Sequence, residues 1–200
     1  MRYGKRVVLA SLSAAIFAVA SPAWASDAAA AGAAVETAAA TLSPNQFVWN
    51  DVATGAPVRV VVNIGEQRAY VYRGEQLIAA TTVSTGKDGK DTPSGTFTVL
   101  QKETMHHSNL YDSAAMPFMQ RLTWDGVAIH AGANPGFPAS HGCIRVPAAF
   151  AKKLYAVTSV GTEVTVVGAD GQVGPAYAPQ GDTADETAAA NQAVAQVAAK

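Results

Sequence analysis

A mostly β fold, a mixed sheet or β-sandwich with one or two short helices, is what the sequence predicts, on three observations. Runs rich in β-branched and aromatic residues recur at 58–64 (VRVVVNI), 68–73 (RAYVYR), 76–85, 96–101 (TFTVLQ) and 162–167 (TEVTVV). Glycine-bearing turns separate them at short intervals. Only one segment between the alanine-rich ends, 147–157 (PAAFAKKLYAV), has the pattern of a helix, with proline in its first turn.

In chain order, Gly65-Glu66-Gln67 joins the first two runs as a hairpin, and Gly74-Glu75 turns the chain into the third. Residues 86–95 (GKDGKDTPSG) are a turn-dense loop leading to the fourth strand. Residues 102–117 read as a long irregular stretch holding His106, His107, Tyr111 and Met116, and loops of that length in compact domains are usually functional or mobile. Residues 119–123 and 127–130 form a strand pair turned at Trp124-Asp125-Gly126. A Gly/Pro-rich loop, the helix and the closing strand complete the domain.

The 200 residues carry a formal net charge of -1, so the chain lacks the basic excess of a nucleic-acid binder. Hydrophobic residues make up 49%, but alanine in both ends inflates that share. Arg2, Lys5 and Arg6, an apolar run over 7–20 and the small-x-small triplet Ala23-Trp24-Ala25 have the layout of a secretory signal peptide, 1–25. The alternative, an uncleaved anchor, is disfavoured because the run is shorter than the roughly 20 residues a spanning helix needs. No cysteine follows the cleavage site, so a lipid anchor there is excluded. Residues 26–43 read as an alanine-rich linker, 44–168 as the folded domain and 169–200 as a low-complexity tail, with helix propensity over 182–200. The mature chain is expected to be exported, without a transmembrane segment. In an oxidising compartment its one cysteine has no intrachain partner, and an unpaired thiol there needs a reason.

The unusual residues converge on 127–147, VAIHAGANPGFPASHGCIRVP. A thiol nucleophile needs a base, a group that orients the base, and donors for the oxyanion formed on attack at a carbonyl. His130 closes a strand, and the following loop has the turn residues to bring it back to Cys143. Gly142 permits close backbone approach beside Cys143, and Arg145 is placed to pair with a substrate carboxylate. Blander readings stand beside these. Cys143 can be a small buried hydrophobe, His130 a core histidine, Ser140 a turn or cap residue and Arg145 a surface charge. His141 with His106 and His107 can be imagined around zinc, although there is one cysteine and no HxxxH pair.

Ser140-His141-Gly142-Cys143-Ile144-Arg145, preceded by Ile129-His130-Ala131-Gly132, resembles the active-site signature of YkuD-type L,D-transpeptidases. Ser84-Thr85-Gly86 and Thr92-Pro93-Ser94-Gly95-Thr96-Phe97 resemble the family's strand-and-turn segment, and the similarity covers roughly 44–168. The resemblance implies an L,D-transpeptidase catalytic-domain fold, a mixed β-sandwich with the cysteine at a cleft. It implies Cys143 as nucleophile, His130 as its base, the Ala131 carbonyl as orienter, and His141 as a holder of the site's hydrogen bonding. Amides around Gly142 and Cys143 would bind the oxyanion. Arg145 would contact peptide carboxylates, with Ser140 also at the substrate site. The loop between His130 and Ser140 is shorter than in many relatives, and some carry asparagine where Arg145 stands. The family's lid maps to 102–117, which makes Tyr111, Met116 and Phe118 candidate substrate walls, with simple packing as the other reading.

The implied reaction is transfer of a peptidoglycan stem peptide through a thioester to an amine of a second stem, joining two diaminopimelate residues or L-alanine to diaminopimelate. Water as acceptor would make a carboxypeptidase, and a protein acceptor would give wall attachment. An inactive peptidoglycan-binding module is the non-enzymatic alternative. No cofactor and no metal are implied, carbapenems are expected to acylate Cys143, and the protein is expected as a monomer in the periplasm, associated with the cell wall.

Overall fold

The computed structural model describes residues 23–52, 55–108 and 113–178. Among the described residues there are two helices and ten strands: α1 (Ala23–Ala39), β1 (Phe47–Trp49), β2 (Val58–Asn63), β3 (Arg68–Arg73), β4 (Gln76–Thr82), β5 (Gly95–Thr98), β6 (Gln101–His107), β7 (Ala115–Arg121), β8 (Ala128–Ala131), β9 (Ile144–Val146), α2 (Ala148–Val157) and β10 (Glu163–Val167). They form a six-stranded sheet in the order β1-β4-β3-β2-β10-β5 and a four-stranded sheet in the order β6-β7-β8-β9. Two neighbour pairs are parallel, β2 with β10 and β8 with β9. The architecture is the mixed, two-sheet, mostly β fold that the sequence implies.

Alternation explains the large sheet. Val60 and Val62 of β2, Ala69 and Val71 of β3, and Val164 and Val166 of β10 are buried while their neighbours are partly exposed. Ile129 of β8, Ile144 and Val146 of β9, and Phe150, Ala151 and Leu154 of α2 meet them in one shared core. Full burial of such a side chain contributes about 1.5–3 kcal/mol. A one-residue slip in any of these strands would turn that face outward, so burial fixes the register.

Pro147 occupies the N-cap position of α2, where a missing backbone N–H costs nothing, and Phe150 stands edge-on to Phe47 and Trp49 at 5.7 and 5.5 Å. At the other end, Lys102 Nζ donates to the carbonyls of Tyr155 and Thr158 at 2.7 and 2.6 Å. A cation on the terminal carbonyls of a helix is favourable. It also ties α2 to β6.

Three stretches differ from the sequence expectation. Residues 102–117 are not irregular: β6 and β7 make an antiparallel hairpin from Gln101↔Arg121 to His107↔Ala115. No residue of β6 is fully buried, so an edge strand of polar residues shows no apolar alternation. The linker expected at 26–43 is largely the helix α1, which buries Val35 and Ala39 against Ala80, with Leu42, Val48, Tyr70 and Leu77 around them. Alanine favours helix, and with mostly alanine around them two buried residues one turn apart leave no readable apolar stripe. The expected cleavage after Ala25 falls within its first turn. The tail expected from 169 also begins inside the fold: Tyr177 stacks on Phe97 at 5.8 Å, and its N–H donates to the Thr96 carbonyl at 2.8 Å.

The apolar run of the expected signal peptide and the helix expected at 182–200 lie outside the described residues. Among the described residues, no helix is long and apolar enough to cross a membrane.

Candidate active site

The floor of the site is β7, β8 and β9. Antiparallel pairing sets Gln120 opposite Ile129 and Arg121 opposite Ala128, and parallel pairing sets Ile129 opposite Ile144 and His130 opposite Arg145. The register therefore carries Cys143 to the position beside Ala128, and Cys143, Arg145, His130 and Arg121 share one face. Parallel neighbours need a crossover of a dozen or more residues, and the chain from Gly132 to Cys143 supplies one.

That crossover is held along the segment 82–86 that leaves β4. Asn134 Nδ2 donates to the Thr82 carbonyl at 2.7 Å, and Ser84 Oγ to the Phe137 carbonyl at 2.8 Å. The amides of Ala139 and Ser140 both donate to the Thr85 carbonyl at 3.0 Å. Ser84 and Arg145 exchange both backbone bonds at 3.0 Å. The serine-threonine-glycine segment thus stitches the two sheets together beside the cysteine.

Around Cys143 the backbone is pinned residue by residue. Ser140, fully buried, donates from Oγ to the Cys143 carbonyl at 2.6 Å and accepts from the Gly142 amide at 3.1 Å. Thr92 donates from Oγ1 to the Gly142 carbonyl at 2.8 Å and accepts from the Gly86 amide at 2.9 Å. Gly142 has φ +114°, a conformation that L side chains rarely adopt, so glycine is needed there. The Gly142 amide, one of the expected oxyanion donors, is engaged by Ser140 in this arrangement. Among the described residues, no such partner engages the Cys143 amide within the loop.

The Cys143 thiol donates to the Gly126 carbonyl at 3.3 Å. His130 is 7% exposed, and its Nδ1 lies 2.9 Å from the Ala131 carbonyl. A carbonyl can only accept, so Nδ1 carries the proton and Nε2 is left as the basic nitrogen. Burial lowers the pKa of His130, opposed by the Ala131 bond and reinforced by Arg145 and His106. Burial raises the pKa of Cys143, and the Ala128 backbone, Arg145 and Arg121 pull it partly back. Both shifts favour a neutral thiol and a neutral imidazole at rest in the cleft that they share. Such a pair can move a proton when a carbonyl arrives, with the base already in the correct tautomer.

Cys143 sits in a cleft of about 230 Å³ that also includes Met116, Met119, Ala128, Ser140, exposed His141 and Arg145. The Arg145 stem packs over Gly132, where a Cβ would lie 3.1 Å from its Cγ. Glycine at 132 therefore lets the guanidinium reach the site. Tyr111 lies outside the described residues. Phe118 is not a wall of this cleft: it points to α2, edge-on to Tyr155 at 5.9 Å. The cause is its backbone, φ +55°, which breaks the strand alternation so that Met116 and Met119 both line the cleft.

Arg121, Trp124, Gly126, Met119 and His106 line the cleft as well and were not assigned from sequence as walls. The signal for Arg121 was present, since the pair 119–123 and 127–130 turned at 124–126 sets it opposite Ala128. His106 bonds Glu103 at 2.8 Å. Among the described residues no cluster of three or more His, Cys, Asp or Glu side chains is disposed to hold a metal ion.

Comparison with solved structures places this geometry. An L,D-transpeptidase from Mycobacterium smegmatis matches with a TM-score of 0.53 at 29% identity, over 56% of this chain and 59% of that one. One from Stackebrandtia nassauensis matches with a TM-score of 0.53 at 25% identity, over 66% and 63%. An L,D-transpeptidase in complex with imipenem matches with a TM-score of 0.53 at 25% identity, over 57% and 60%. The chain thus spans less than two thirds of the length of each. No curated protein matches it significantly. Residues 57–166, more than half of the chain and inclusive of every residue of the pinned cysteine loop, match the YkuD model, the L,D-transpeptidase catalytic domain, and the chain belongs to that family.

Proposed function

We propose that the protein is a peptidoglycan L,D-transpeptidase that works through a Cys143 thioester. The observation that carries this reading is that a buried, tautomer-fixed His130 and Cys143 lie on the same face and line one cleft. In the first step the thiol proton passes to His130 Nε2 as sulfur bonds to the carbonyl carbon of an L-residue. The Cys143 amide faces the oxyanion, and hydrogen bonding by Ser140 keeps the loop that presents it in place. Collapse breaks the C–N bond, and the imidazolium returns the proton to the departing amine of the D-residue. In the second step an amine of another stem attacks the thioester, gives its proton to His130, and the C–S bond breaks to regenerate the thiol. The cross-link joins two diaminopimelate residues or L-alanine to diaminopimelate. Water in place of the amine gives L,D-carboxypeptidase activity from the same intermediate.

Residues 1–25 act as a signal peptide in this reading, and the enzyme works as a monomer in the periplasm, associated with the cell wall. A lone thiol suits that task, because oxidation to sulfenic acid or a disulfide would remove the nucleophile. The relative solved in complex with imipenem supports an expectation of carbapenem acylation at Cys143.

Muropeptide mass spectrometry after incubation with purified sacculi tests the reaction and identifies donor, acceptor and hydrolysis together. Cys143→Ala should abolish new cross-links and the imipenem adduct while leaving the thermal transition in place. Retained cross-linking by that variant would end the nucleophile assignment. An intact wild type that binds sacculi without changing any muropeptide would favour the inactive module.

A further inference from the structure

Two guanidinium groups flank Cys143. Arg145 is in β9, two residues on from the cysteine that precedes the strand, about 6.6 Å at the usual rise. Arg121 lies two strands away across the same face, about 10 Å at the usual spacing, with Ala128 between. Both line the cleft, whose described lining holds these two arginines and three histidines and no aspartate or glutamate. Among the described residues neither arginine has a carboxylate partner: the ion pairs are Arg73 with Asp51 and His106 with Glu103. Arg121 is positioned through neutral groups, with Nε donating to Gln101 Oε1 at 2.7 Å and its guanidinium 5.6 Å from the Trp124 ring. Arg145 has only a long 3.5 Å contact from Nη1 to the Ala139 carbonyl. Two cations without carboxylate partners that face one cleft make it suited to an anionic ligand.

Resting on the transpeptidase reading, we infer that Arg121 is a specificity-determining residue which, with Arg145, forms a two-carboxylate clamp. The donor is therefore a stem peptide with a free carboxylate on each side of the scissile bond. One is the terminal α-carboxylate of the leaving D-residue, and the other is a side-chain carboxylate of the residue that is acylated. Each arginine takes one, and the carbonyl between them is held over the sulfur. The clamp selects the diacid over its amides.

The test uses the full protein and three synthetic stem peptides: the diacid and the two monoamides, each neutralising one carboxylate. Wild type should use either monoamide with kcat/KM about tenfold lower, the scale of one charge-assisted contact. Arg121→Gln should erase discrimination against one monoamide and keep discrimination against the other, and Arg145→Gln should do the converse. Arg121→Lys, which keeps the charge and much of the stem, should show an intermediate preference and guards against misfolding of the glutamine variant. Equal losses on all three peptides in Arg121→Gln, or equal use of all three by wild type, would overturn the clamp. Binding of the same peptides to Cys143→Ala by calorimetry reads the clamp without turnover. Diacid preference there with no turnover by wild type would refute the reaction and leave the clamp standing, whereas turnover without any diacid preference would refute the clamp alone.

Discussion

The loop that presents Cys143 and the hairpin that walls its cleft are built in opposite ways. From Ser140 to Arg145 the backbone is tied down at Ser140, Gly142, Cys143 and Arg145, by bonds with Thr85, Lys87, Thr92, Ser140 Oγ and Ser84. Burying polar groups is favourable only when they are paired, and a fully paired network holds one geometry. Strand β6 of the hairpin is an edge strand with exposed Thr104, Met105 and His107. The hairpin's wall residues are set by sterics, chiefly the left-handed Phe118. The backbone that presents the nucleophile is thus held by hydrogen bonds, whereas the wall is shaped by side-chain volume and charge. Disturbing the first should cost reaction rate, and disturbing the second should change substrate affinity.

Loss of His130 should have the largest effect after that of the nucleophile itself. His130→Ala should slow imipenem acylation by roughly 10²–10⁴, the usual reach of general base catalysis, while His106→Ala should stay within a few-fold. Equal losses would make His106 a partner in the chemistry. The pKa directions fix the sign of the pH dependence. With the imidazole lowered by burial, the acid limb of acylation should lie below about 6.5. With the thiol raised by burial, alkylation by iodoacetamide should climb with pH toward a midpoint above that of a free cysteine. A flat alkylation rate down to pH 5 would mean a thiolate-imidazolium pair and sink the neutral resting state.

Next in size is Thr92→Val, which removes the hydroxyl shared by the Gly142 carbonyl and the Gly86 amide. Leaving buried backbone groups unpaired costs about 1–3 kcal/mol, so a scan should show a drop in Tm of several degrees. Acylation should slow by about tenfold or more, because displacements near 1 Å at a reacting atom are expensive. A variant as stable and as reactive as wild type would show that the loop is held without this bond.

Most of the large sheet was legible because its strands bury one face and alternate, as Val60, Val62, Val164 and Val166 do. Strand β9 was hidden directly behind the Ser-His-Gly-Cys motif, where a three-residue strand, Ile144–Val146, is too short to show a period. Strand β6 was hidden because little of it is buried. Helix α1 was misread because alanine supplies helix propensity without contrast between faces. At the site, Cys143, His130 and Arg145 stood out by residue type and motif. Arg121 did not, since its place in the cleft follows from pairing between β7 and β8. The positions of Phe118 and Met116 depend on a backbone inversion at a residue type that rarely adopts it, which no strand pattern announces.

That inversion gives the smallest prediction and the sharpest contrast within the hairpin. Phe118 faces α2, so Phe118→Ala should lower stability by about 1–2 kcal/mol through lost packing on Tyr155 and leave KM within about twofold. Met116, 7% exposed and on the cleft wall, should do the reverse, with Met116→Ala raising KM by more than Phe118→Ala does. Phe118→Gly separates ring from backbone: it loses the same ring, but glycine accepts a positive φ without the roughly 1–2 kcal/mol that other residues incur. It should therefore be the more stable of the two Phe118 variants. A glycine variant less stable than the alanine one would mean that φ +55° is not strained there, and a KM shift in Phe118→Ala matching that of Met116→Ala would return the ring to the substrate wall.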